Sequence, residues 1–139
     1  MKAGTAEEHI ANVEKKKVCR HLVVDDAATN RSILKLYLES QKLVVDEADS
    51  GDTAMEKLRE LGKEGYDVIW TDLSMKGMGG LELAREARKF GFDRYLVVLS
   101  GNVKPEQQVQ LKEVGVDLVC LKPLRKKTLL ELSVMRLYV

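Results

Sequence analysis

Val68-Ile69-Trp70-Thr71-Asp72-Leu73-Ser74-Met75-Lys76-Gly77-Met78-Gly79-Gly80 is the stretch on which the reading of this chain turns. Its opening is continuous and apolar, as expected of a strand covered on both faces in a parallel sheet. An acid, Asp72, follows at once, and the glycines of Ser74–Gly80 then mark a loop. Three other apolar runs end in a polar signal. Leu22-Val23-Val24 runs into Asp25-Asp26, Leu96-Val97-Val98-Leu99 into Ser100-Gly101, and Leu118-Val119-Cys120-Leu121 into Lys122-Pro123. If the four runs are parallel strands of one sheet, those polar groups share one edge.

Outward from these runs, short apolar segments alternate with segments of helical period, the pattern of a βαβ series. Strands are expected at 20–24, at Val44-Val45 with Ala48, at 68–71, 95–99 and 117–121. The first helix is expected to take Thr29 as its N-cap, to run to Ser40, and to bury Ile33, Leu34, Tyr37 and Leu38. The second covers Thr53 to Leu61 with Ala54, Met55, Leu58 and Leu61 inward, stopped by Gly62. The third covers Leu81 to Lys89 and closes at Gly91. The fourth starts at Pro105, where a missing N–H costs little, and ends at Gly115. A fifth is expected from Leu124 to about Leu137. The expectation is therefore an α/β fold: a doubly wound, five-stranded parallel sheet flanked by five helices. Residues 1–17 read as a charged N-terminal extension and 18–139 as one domain, with no output domain after the last helix.

The 139 residues suit one domain, and a 45% hydrophobic content can fill a core. A formal net charge of +1 gives no general drive toward nucleic acid. No apolar run nears the roughly 20 residues that cross a bilayer, and Met1–Lys17 lacks the apolar stretch of a signal peptide. Cys19 and Cys120 are too few for a disulfide framework and fit thiols in a reduced compartment. A cytoplasmic protein without membrane insertion is expected. Trp70 reads as core, and His9 and His21 as solvated or structural.

Ligands of an open parallel sheet bind outside the carboxyl ends of its strands, near the point where strand order reverses. Carboxylates about 4 Å apart repel by about 4 kcal/mol per pair at an effective dielectric near 20, so a fold that gathers them needs a cation. All-oxygen donors favour Mg²⁺ or Mn²⁺. Beside such an ion one carboxylate can accept a phosphoryl group in line, with Lys122 as a second positive group and the Ser100 hydroxyl as a donor to phosphoryl oxygen.

These residues, in this order and spacing, resemble the receiver domain of two-component response regulators over about Arg20 to Leu137. The resemblance implies a flavodoxin-like sheet of strand order 2-1-3-4-5. It implies Asp72 as phosphoacceptor, and Asp25, Asp26, Asp72 and the backbone carbonyl of Ser74 as Mg²⁺ ligands. It implies Ser100 as the switch hydroxyl, Lys122 as the family lysine, a cis peptide before Pro123, and Ser74 and Asn102 as positions that tune hydrolysis. The stretch Asp25–Arg31 and the run Leu99–Asn102 look most like receivers of hybrid kinases and plant-type phosphorelays. The implied partner is a histidine kinase or histidine phosphotransfer protein. The chain departs from the family at Lys76, usually proline, at Gly79, usually aspartate, and at Val119, where a switch aromatic is usual. A loop with Gly77, Gly79, Gly80 and no proline is expected to be unusually free.

Three functions compete. One is a phosphoacceptor signalling module that catalyses its own phosphotransfer and slow dephosphorylation without turning over external substrates. Another is a dehalogenase-type phosphatase, which needs a second acid where this chain has Ser74. The last is a phosphorylation-independent interaction module built on the receiver fold. The apolar last helix, with Leu129, Leu130, Leu132, Val134, Met135 and Leu137, fits either ordinary core or a homodimer or partner face shared with its neighbours.

Overall fold

The computed structural model describes residues 19–125. Its strands are β1 (Arg20–Val24), β2 (Val44–Ala48), β3 (Val68–Asp72), β4 (Tyr95–Ser100) and β5 (Leu118–Leu121). Its helices are α1 (Ala28–Ser40), α2 (Gly51–Leu61), α3 (Gly80–Phe90) and α4 (Pro105–Glu113). All strand pairs are parallel, and the sheet order is β2-β1-β3-β4-β5. The chain therefore steps outward once, to β2, then returns past β1 and continues the other way. The reversal lies between β1 and β3, which places Asp25 and Asp72 side by side at the switch point.

Side-chain alternation splits the core into two layers. Leu22, Val24, Ile69 and Leu96 face α2 and α3, packing on Ala54, Met55, Leu58, Leu83, Ala84 and Ala87. Val23, Val68, Trp70, Val97 and Leu99 face the other side with Leu34 and Leu38 of α1. Leu111 of α4 closes on Leu73 and Val98. The central strands are covered on both faces, which explains their unbroken apolar runs.

Several local expectations shift. The first helix starts at Ala28 with Ala27 as N-cap, so Thr29 lies inside it. No side chain caps this helix; the Asp25 carboxylate accepts from the amide of Ala27, the N-cap residue itself, at 2.9 Å. On α1 only Leu34 and Leu38 are fully buried, while Ile33 is 64% exposed. The second helix starts at Gly51, because the Ser50 hydroxyl accepts from the Thr53 amide and caps it. Leu61, at its end, is 40% exposed. Gly91 adopts φ +109 in the left-handed region and closes α3 as expected. Four helices are present among the described residues. Leu124 and Arg125, where a fifth was expected to begin, are not helical, and the rest of that expected helix lies outside the described residues, as does the 1–17 extension. No helix among the described residues is long and apolar enough to cross a membrane.

Candidate functional site

After Val24 the chain leaves the sheet through Asp25, Asp26 and Ala27 into α1. The Asp25 amide still bonds as a strand residue, donating to the Ala48 carbonyl at 3.1 Å, and its carboxylate is turned back by the Ala27 amide. Asp25 is consequently buried, whereas Asp26, one residue further, is exposed. Asp72 is the last residue of β3 and pairs in register with Leu99. Lys122 follows β5, and its amide donates to the Ser100 carbonyl at 2.8 Å.

The three acids converge. Asp25, Asp26 and Asp72 each offer a carboxylate oxygen, and these oxygens lie within 4.8 Å of one another. Lys122 Nζ stands between two of them, 3.2 Å from Asp72 Oδ1 and 3.3 Å from Asp25 Oδ2. Burial, helped by the Asp25 and Asp26 charges, pushes the Asp72 carboxyl above its ordinary range although Lys122 pulls the other way. Burial alone would lower the Lys122 ammonium. The hydrogen bond and charge of Asp72, and then of Asp25, outweigh it and hold the pKa up. One ammonium thus pairs with two of the three clustered carboxylates, and an all-oxygen pocket with one exposed acid suits a small hard cation.

The β3–α3 loop wraps this cluster. The Lys76 amide donates to Asp26 Oδ2 at 3.3 Å, a bond that proline at this position cannot make. Met75 and Met78 pack against the core, and the Gly80 amide donates to the Leu73 carbonyl at 2.9 Å. A loop expected to be free is thus tied at both ends and in the middle. Gly80 matters for a reason the sequence reading missed: a β-carbon there would lie 2.4 Å from the Asp72 carbonyl oxygen. The doubled glycine at the mouth of a helix was the available signal. Ser74 lies on the same loop, exposed, two residues beyond Asp72.

Ser100 ends β4 and is buried. Its hydroxyl donates to the Asn102 carbonyl at 2.7 Å and accepts from the Asn102 amide at 3.2 Å, so it is engaged with its own loop and not with the acids. Val119, at the position where an aromatic is usual in the family, is half-buried beside Leu73, Val98 and Leu111. The Lys122–Pro123 peptide is cis.

Residues 22–133 match the family model of the response regulator receiver domain. The chain belongs to that family. Among its relatives is the transcriptional regulatory protein ResD of Bacillus subtilis, 37% identical over 102 residues, which are 73% of this chain and 41% of ResD. The two-component response regulator ORR41 of rice is 31% identical over 116 residues, 82% of this chain and 91% of that protein. A receiver protein of Pseudomonas putida superposes with a TM-score of 0.79 at 34% identity, covering 85% of this chain and 97% of that one. The chain spans less than half the length of ResD. This receiver domain is thus a two-component signalling domain of doubly wound fold, with its acids at the strand-order reversal.

Proposed function

We propose that this receiver domain accepts a phosphoryl group from a phosphohistidine onto Asp72 and holds it as a transient signal. The observation that carries the reading is Lys122 Nζ bridging Asp72 and Asp25 beside a third acid, with all three carboxylates within reach of one cation. Asp25, Asp26 and Asp72, with the Ser74 backbone carbonyl, are the proposed ligands of Mg²⁺ or Mn²⁺. Bound there, the ion supplies charge neutralisation for the incoming phosphoryl oxygens.

The chain's own groups do the rest. A carboxylate oxygen of Asp72 attacks phosphorus as the P–N bond to the donor imidazole breaks and that nitrogen takes a proton. Lys122, already paired with Asp72, stays to offset the added negative charge. Ser100 exchanges its two Asn102 bonds for a phosphoryl oxygen. The resulting mixed anhydride is labile to water, so no external substrate need turn over. Ser74 and Asn102, flanking the acceptor and the switch hydroxyl, tune that hydrolysis. With Val119 at the ring position, the Ser100 movement proceeds without an inward-swinging aromatic. The donor is a histidine kinase or histidine phosphotransfer protein, and the domain works inside the cell with it.

The test uses Mg²⁺ with a small phosphodonor or beryllofluoride. Wild-type protein gains one acid-stable, base-labile phosphoryl group or binds the fluoride, and Asp72→Asn does neither. Equal labelling of the two proteins rejects the assignment. Unchanged partner binding in Asp72→Ala would instead point to a phosphorylation-independent module.

A further inference from the structure

Every backbone and carboxylate polar atom of Asp25 has a partner. Its amide donates to the Ala48 carbonyl, Oδ1 accepts from the Ala27 amide and Oδ2 meets Lys122 Nζ. Its backbone carbonyl accepts from Arg31 Nη1 at 2.7 Å, the shortest of the four. That carbonyl belongs to the peptide joining Asp25 to Asp26, so the bond sets the plane of the link between two of the clustered acids. Arg31 is itself held: its Nε donates to Glu47 Oε1 at 3.3 Å, and Lys35 Nζ secures the other Glu47 oxygen at 3.2 Å. Glu47 stands on β2 opposite Val23, so the guanidinium braces the β1 exit against both β2 and α1. Its side chain is mostly buried.

We infer that Arg31 is a positioning residue for the cation site, acting through the Asp25–Asp26 peptide and steered by Glu47. The inference rests on the proposed function, in that it presumes a divalent ion at the acids. Arg31 reaches the two acceptors through separate nitrogens, Nη1 to the Asp25 carbonyl and Nε to Glu47, held at a fixed angle by the planar guanidinium, a geometry that the single ammonium of lysine does not reproduce. Loss of a group that orients metal ligands typically weakens binding by about 10- to 100-fold.

The full chain is titrated with Mn²⁺ while the free-ion electron paramagnetic resonance signal is followed, and urea midpoints are taken without metal. Arg31→Ala is expected to weaken Mn²⁺ binding about tenfold or more. Arg31→Lys is expected to recover little of it, and Glu47→Gln to weaken binding several-fold. A purely structural role would lower the urea midpoint and leave the Mn²⁺ affinity of folded variants unmoved. Wild-type affinity in Arg31→Ala or Arg31→Lys overturns the inference. If Arg31→Ala does not fold, an unchanged affinity in Glu47→Gln overturns it equally. Wild-type protein that takes up no Mn²⁺ at all is a different result, because it removes the proposed function beneath the inference.

Discussion

His21 accepts a hydrogen bond at Nδ1 from the Trp70 indole at 2.9 Å, which leaves its proton on Nε2. Both residues are 1% exposed, and their rings lie nearly parallel. Burial pushes the imidazole down from 6.5 to about 4, against a weaker upward pull from Asp67. The unfolded chain takes up this proton below about pH 6.5 and the folded chain only near 4. The neutral His21 therefore contributes fully above 6.5, and its share, on the order of 3 kcal/mol, is lost as pH falls toward 4. Urea midpoints should drop across that window, and nitrogen chemical shifts should show His21 neutral until about pH 4. Titration near 6.5 would contradict the burial argument. The sequence offered His21 only as solvated or structural, because a cross-strand bond to Trp70 leaves no periodic trace. Asp25, Asp72 and Lys122 were legible for the opposite reason: each follows or ends an apolar strand run, and the runs taken together put all three on one edge of a parallel sheet. The Ser100 hydroxyl was legible in position but not in direction, since its rotamer depends on Asn102.

Among elements, α1 shows where periodicity misleads. Four apolar residues, Ile33, Leu34, Tyr37 and Leu38, form a stripe on a wheel, yet only Leu34 and Leu38 are fully buried, because one flank of the helix faces outward. Strand positions were read closely, since a strand covered on both faces needs an unbroken apolar run. The start of α1 is harder to read from sequence, because its N-cap, Ala27, has no side-chain oxygen to mark it. The α3 entry rests on close approach. Gly80→Ala drives a β-carbon into the Asp72 carbonyl, with Leu73 Cα next at 2.9 Å, and backbone must move to relieve it. Destabilisation of about 2 kcal/mol is expected, with slower phosphoryl uptake because Asp72 shifts with its carbonyl. Calorimetry and a labelling time course check both, and an unaltered melting temperature would mean that the helix entry yields more easily than the geometry implies.

At the scale of the molecule, one arginine joins three elements at the end of the sheet opposite the acids. Arg88 on α3 donates to the carbonyls of Phe92, Arg94 and Gly115 and to Asp117 Oδ2, at 2.6–3.2 Å. Asp117 also accepts from the Leu96 amide at 2.8 Å, so the starts of β4 and β5 are held together with α3. Arg88→Ala leaves three carbonyls to find water and is expected to cost about 2–3 kcal/mol, read as a lower urea midpoint, with Mn²⁺ affinity untouched at the far end. Weakened metal binding in that variant would reveal coupling along the strands. Trp70, the chain's single indole, occupies β3 two positions before the proposed acceptor and is sealed from solvent by the layers on both sides. The domain therefore carries its own optical gauge: emission excited at this one chromophore reports the state of the floor beneath the reactive carboxylate, free of any competing tryptophan and without an attached dye.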